Sequence, residues 1–216
     1  MSDLCKRLKI KLKTGRPVNV RQQSGAIDAF KSDRRSEKFK ELRLGYADEL
    51  IFFHDELRAG TRTELSRKWG PIGHRPIAPV KIGYENTYLY LTICPFTGEG
   101  FGAFLPKLNS KCFAWFLDKI QQELTQKALF IADGATAHKE ELFDKQRLVF
   151  EKLPAACPEL NPVERFFKEV RKKLKNKVFE TITIAQECIQ KVVKELCQEE
   201  GKVISITCFP YLKNTT

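Results

Sequence analysis

The sequence predicts an α/β domain built on a mixed sheet, and three observations lead there. Five short stretches are apolar or alternating enough to be strands; two of them are joined by the turn Pro95-Phe96-Thr97-Gly98; and others are separated by stretches of helical period or length. A hairpin makes an antiparallel pair and a helical crossover favours a parallel one, so the five-stranded sheet is mixed and flanked by helices.

Residues 1–46 carry no sustained apolar period and contain Gly15-Arg16-Pro17 and Arg21-Gln22-Gln23-Ser24-Gly25, which predicts an extended basic arm leading into a short helix near 26–42. Leu50-Ile51-Phe52-Phe53 is a buried strand whose end releases His54-Asp55-Glu56 at an edge. The stretch 60–79 holds Gly70, Pro71, Gly73, Pro76 and Pro79 and reads as a loop. Residues 80–94 and 100–105 form the hairpin. Asn109 or Ser110 caps a helix running to about Gln126, in which Phe113, Phe116, Leu117, Ile120 and Leu124 face the sheet. Residues 128–132 and 148–150 are central strands, with a helical crossover over 137–145. Asn161-Pro162 supplies an N-cap and a first-turn proline for a helix with the stripe Val163, Phe166, Phe167, Val170 and Leu174, and a second amphipathic helix spans 182–197. Residues 47–200 are thus one domain, followed by a tail over 201–216.

A chain of 216 residues has room for one domain with a real core plus an arm. No apolar run reaches the roughly 18 residues of a membrane span, and the charged start lacks the core of a signal peptide, so a cytoplasmic location is expected. Seven scattered cysteines without a CxxC pair argue against a disulfide framework and a zinc ribbon, and none of His54, His74 and His138 stands at ligand spacing from a cysteine.

The net charge is 38 − 27 = +11, and it is concentrated. Residues 1–45 contribute 13 − 5 = +8, and 164–177 contribute 7 − 2 = +5, leaving a middle that is near neutral or acidic. Two basic blocks around such a middle suit a polyanion, because phosphate contacts release condensed counterions.

Three carboxylates occupy places that a rigid sheet can bring together: Asp55 after the first strand, Asp133 after the fourth, and Glu164 in the first turn of the helix after Pro162. Acids gathered with little compensating charge repel one another unless a divalent cation joins them, and oxygen donors select Mg²⁺ or Mn²⁺ over zinc. Each has a plainer use: Glu164 fits a capping box with Asn161, Asp133-Gly134 is a common turn, and Asp55 fits a solvated loop.

Four strings carry a resemblance: Phe53-His54-Asp55-Glu56, residues 69–76 (WGPIGHRP), residues 130–139 (FIADGATAHK), and residues 153–164 (LPAACPELNPVE), the last being the most specific. Over about residues 45–200 the chain resembles the catalytic domain of bacterial insertion-sequence transposases of the mariner superfamily, the DDE endonucleases. The resemblance implies a ribonuclease-H-like fold with Asp55, Asp133 and Glu164 as the triad. The thirty residues between Asp133 and Glu164 are fewer than is usual in that branch, so Glu56 and Glu159 are the alternatives to Glu164. Similar proteins carry helix-turn-helix modules ahead of this domain. The basic arm stands in that place here, which implies an upstream helix-turn-helix partner protein, a homodimer when active, and terminal inverted repeats and target DNA as substrates, in a nucleoid-associated setting. Arg16, in Gly15-Arg16-Pro17, resembles a linker that enters the minor groove.

Phosphodiester cleavage needs an activated water, a stabilised phosphorus and a neutralised leaving oxygen, which two Mg²⁺ (or Mn²⁺) ions supply together. The expected ligands are Asp55, bridging both ions, with Asp133 on one and Glu164 on the other. Lys168, Arg171 and Lys175 follow Glu164 at helical spacing and are the expected phosphate contacts, with His138 and Glu56 as accessory residues. Two other functions fit the residues: a nuclease of the same fold acting on another nucleic acid, and a decayed transposase remnant that only binds DNA.

Overall fold

Ten consecutive residues, Ile51–Gly60, form β1, the central strand of the sheet. In the computed structural model the described residues are Arg7, 25–27, Glu41, 44–69, 76–199 and 201–213, with no side-chain placement for residue 213. The basic arm with Arg16, most of the helix expected over 26–42, and the Gly70–Arg75 part of the loop lie outside them. The strands β2 (Asn86–Ile93), β3 (Gly100–Leu105), β4 (Ala128–Ala132) and β5 (Leu148–Lys152) complete the sheet in the order β3-β2-β1-β4-β5. β1–β2 and β2–β3 are antiparallel, while β1–β4 and β4–β5 are parallel, so the sheet is mixed as the hairpin and crossover require.

β1 is longer than the apolar run alone predicts. Its pairing with β2 continues from Phe53↔Ile93 to Gly60↔Asn86, and this ladder keeps His54, Asp55 and Glu56 in mid-strand rather than at its end. Pairing with β4 covers only Ile51↔Leu129 to Phe53↔Ile131. Past Phe53 one edge of β1 is therefore open where β4 stops, and continuing the register sets Asp55 level with Asp133. β2 begins later than expected: residues 80–85 run extended, with Thr63 N–H donating to the Lys81 carbonyl, but Val80, Ile82 and Tyr84 find no core and stay exposed.

Helix α1 (Ser110–Glu123) starts where Asn109 Oδ1 accepts from the Cys112 amide at 2.9 Å, and it buries Phe113, Phe116, Leu117 and Ile120 on one face of the sheet. On the other face lie α2 (Pro162–Leu174) and α3 (Ile182–Gln198), whose Val163, Phe166, Phe167, Val170, Ile189 and Val192 pack with Ile51, Phe53, Leu57, Leu129 and Ile131. The alternation of a strand divides β1 and β4 between these two cores: odd residues meet α2, even residues meet α1.

The crossover over 137–145 is not helical beyond a single 3₁₀ turn, Glu140–Leu142. His138 and Phe143 are both buried, yet five residues apart they stand about 140° from each other on a helix, so no helix buries both on one face. The segment after 200 is more than a tail: α4 (Lys202–Thr207) and α5 (Pro210–Lys213) fold back, with Val203, Phe209 and Leu212 buried in the α2–α3 core. Among the described residues, six cysteines are free thiols and no helix is long and apolar enough to cross a membrane.

Candidate active site

Asp55 and Asp133 belong to the odd face, the one covered by α2, and Glu164 enters from the first turn of that helix. The connection from β5 to α2 closes the third side, because Leu153 N–H donates to the Ala132 carbonyl at 2.9 Å and so continues the ladder past the end of β4. Asp55, Asp133 and Glu164 line one cleft of about 90 Å³ with Leu153, Pro154, Ala156, Cys157, Pro158 and Asn161. Ala156 holds the left-handed conformation at φ 58°, a strained backbone for a residue with a Cβ, in the cleft wall.

Asn161 fixes the helix to the strand. Its Oδ1 accepts from the Val163 amide at 3.1 Å, and its Nδ2 donates to the His54 carbonyl at 2.8 Å, one residue from Asp55. The side chain is buried, so both bonds are made away from water. The capping box is not formed: the Asn161 amide donates to the Pro158 carbonyl, leaving the Glu164 side chain free of that duty. Glu159, the other alternative, is exposed on the 3₁₀ turn Pro158–Leu160 and is not part of the cleft wall.

Burial and negative neighbours govern the electrostatics of Asp55. Burial raises its pKa most, the negative charge of Glu164 raises it further, and Glu56 and Asp133 add to this, while the hydrogen bond from the Glu56 amide opposes them; the result is about 8. Asp133, at the mouth, is held below the usual range chiefly by His138 and also by the Ala135 amide, 3.0 Å from its Oδ1, against the effect of burial. A buried carboxyl kept protonated by its acidic neighbours is what a divalent cation relieves, and the donors are all oxygen, so the set fits Mg²⁺ or Mn²⁺.

Glu56 does not join the cleft. It points to the opposite face of β1, where its Oε1 lies 3.0 Å from His138 Nε2 and 3.2 Å from His54 Nε2. Burial disfavours its charge, but the two histidines outweigh this and bring its pKa down to about 2. His138 in turn is raised to about 10: burial lowers it, while its bonds to Asp133 and Glu56 raise it more. It reaches the site indirectly, with Nδ1 3.0 Å from Asp133 Oδ1 and 3.1 Å from the Asp133 carbonyl. Lys168 and Lys175 are exposed on α2, whereas Arg171 is half-buried and sets its Nη1 3.6 Å from Glu164 Oε2. His54 and Asn161 are the residues that sequence reasoning missed as contributors. The signal for His54 is its spacing of two from Glu56 on a strand; Asn161 already had a role as cap, and its second bond depends on tertiary structure.

This strand order, with acids at the split beside the central strand, defines a ribonuclease-H-like domain. The sequence profile of the DDE superfamily endonucleases matches residues 50–186, and the chain belongs to that family. The fold is similar to that of the Mos1 transposase in its paired-end complex with the left transposon end, at a TM-score of 0.69 and 14% identity, over 95% of this chain and 65% of that one. A pre-cleavage Mos1 transpososome gives 0.65 and 14%, over 96% and 70%, and the Mos1 paired-end complex with Mg gives 0.61 and 16%, over 94% and 67%. The chain thus spans about 65% of the first of these proteins. No curated protein matches it in sequence.

Proposed function

We propose that the chain is the catalytic domain of an insertion-sequence transposase that cuts DNA at element ends and joins the freed 3′ ends to target DNA. The observation that carries this is the convergence of Asp55, Asp133 and Glu164 on one cleft, with the Asp55 carboxyl forced toward protonation by burial and by the other acids. The three carboxylates would hold two Mg²⁺ (or Mn²⁺) ions. Bound there, the ions would supply charge neutralisation and an activated water for phosphodiester hydrolysis. Hydrolysis breaks the bond between phosphorus and the 3′ oxygen, the water oxygen stays on the phosphate, and the 3′ hydroxyl then displaces a 3′ oxygen of the target strand. The protein supplies positions: Asn161 holds Glu164 against β1, and His138 orients Asp133. Lys168 and Lys175, exposed on α2 behind Glu164, together with Arg16, take the flanking phosphates. Arg171, set against Glu164, holds the phosphate nearest the cut.

The active form is a homodimer bringing two element ends together. The paired-end assembly of Mos1 and the exposed apolar side chains Leu65, Trp69, Ile77, Ile82 and Tyr84 after β1 support the pairing.

Nicking of plasmid DNA in Mg²⁺ tests the cleft. Asp133→Asn is expected to abolish nicking and to leave DNA binding unchanged or stronger, because a charge that repels phosphate is removed. Equal nicking by wild type and variant ends the reading. Joining of a pre-cleaved element end to target DNA separates a transposase from another nuclease of this fold.

A further inference from the structure

We propose that His54, Glu56 and His138 form a second metal site, of the zinc type, on the face of β1 opposite the acidic cleft. His54 and Glu56 are two apart on the strand and project to the same side, while Asp55 between them projects to the other. His54 Nδ1 lies 3.1 Å from the Leu91 carbonyl and His138 Nδ1 lies 3.1 Å from the Asp133 carbonyl. A carbonyl only accepts, so both Nδ1 atoms carry hydrogen, and both Nε2 atoms are turned on Glu56 Oε1, at 3.2 and 3.0 Å.

The three donor atoms all lie within 4.8 Å of one another. The two distances to Glu56 compare with the edge of about 3.3 Å in a tetrahedron whose metal–ligand bonds are about 2.0–2.1 Å. His54 Nε2 is the second, independent observation: it is fully buried, aimed at Glu56 and without an aligned hydrogen-bond partner. His54 Nε2 and Glu56 Oε1 face each other at 3.2 Å in a pocket walled by Tyr90, Phe113, Phe116 and Phe130. A cation between them gives the buried Nε2 the partner it lacks. For His138 the ion replaces the proton that otherwise bridges Nε2 and Glu56.

Two imidazoles and one carboxylate select Zn²⁺ over Mg²⁺, and histidines that donate their other N–H to carbonyls are the usual outer support of such sites. The set contains no cysteine, so the absence of cysteine–histidine spacing in the sequence does not bear on it. The metal staples the central strand to the segment after β4 that carries Asp133. The proposal does not depend on DNA cleavage.

Cobalt is the probe. The full chain, stripped with a chelator, is titrated with Co²⁺, and the intense visible bands of four-coordinate cobalt are expected at one equivalent, unaffected by excess Mg²⁺ and bleached by one equivalent of Zn²⁺. Asp55→Asn and Glu164→Gln are expected to keep the bands. Glu56→Gln and His138→Gln, checked for folding by circular dichroism, are expected to weaken cobalt binding by more than the roughly 10- to 100-fold that follows loss of an outer-shell partner. Only the weak bands of oxygen-ligated six-coordinate cobalt in the wild type overturn the proposal, and so does loss of the signal in Asp55→Asn. If the Glu56 and His138 variants do not fold, the wild-type spectrum decides.

Discussion

Asp55 and Glu56 are adjacent acids with opposite fates, one raised to about 8 and the other lowered to about 2, because a strand sends them into different surroundings. Replacing Asp55 by Asn keeps the acceptor for the Glu56 amide and removes the repulsion, so the metal-free protein should gain about 1–3 kcal/mol at neutral pH, read by urea denaturation, while nicking is lost. The same shifts predict how stability follows pH in a chelator. Asp55, raised in the fold from 3.8, favours folding fully only below that value, and the advantage is lost as pH rises through 8. His138, raised from 6.5, contributes fully below 6.5 and loses its contribution as pH rises through 10. Glu56, lowered from 4.5, contributes above 4.5 and loses its share as pH falls toward 2. Stability should therefore peak at about pH 4 and fall from there toward pH 10, more steeply above 6.5, with a smaller fall in His138→Gln. A wild-type stability that climbs between pH 7 and 9 contradicts the assignment. The acids of the cleft were legible because their motifs are distinctive; the histidine pair was not, since its two members are 84 residues apart and meet only through the register of β1 with β4.

Among elements, α2 decides whether the cleft exists. Its start was readable from Asn161-Pro162, and its buried face from the stripe through Val170. What no pattern gives is the bond from Asn161 to the His54 carbonyl, which converts a local cap into a tertiary clamp. Asn161→Ala removes both bonds and strands a buried carbonyl, an expected cost of about 2–3 kcal/mol; Asn161→Asp keeps the cap but loses the donor. Urea midpoints for both, beside their nicking rates, test this: the Asp variant should lie between wild type and Ala in stability. The composition of the crossover after β4 suits a helix, while burial of His138 and Phe143 imposes another path. Likewise, the polar residues of β1 hide in the sequence a strand whose length its partner β2 sets.

For the whole molecule, charge and topology divide the labour. The mixed sheet and its apolar faces followed from hydrophobic period and connection type, but the strand order did not: β5, expected to be central from its apolar run, is an edge strand. The net charge of +11 favours DNA in general, whereas the cleft places the chemistry. Lys168→Ala and Lys175→Ala should each weaken binding to any duplex alike and reduce the slope of log affinity against log salt by about 1, measured by fluorescence anisotropy. Arg171→Ala should leave stability within about 0.5 kcal/mol, because its pair with Glu164 is half-exposed. The division of β1 between two faces has a genetic corollary. One codon inserted between Ile51 and Asp55 would exchange the occupants of both sides at once, sending the cleft acid among aromatic rings and the histidine toward phosphate. Substitutions in this strand can be repaired singly; a shift of frame by one residue cannot, so its length is the least negotiable quantity in the domain.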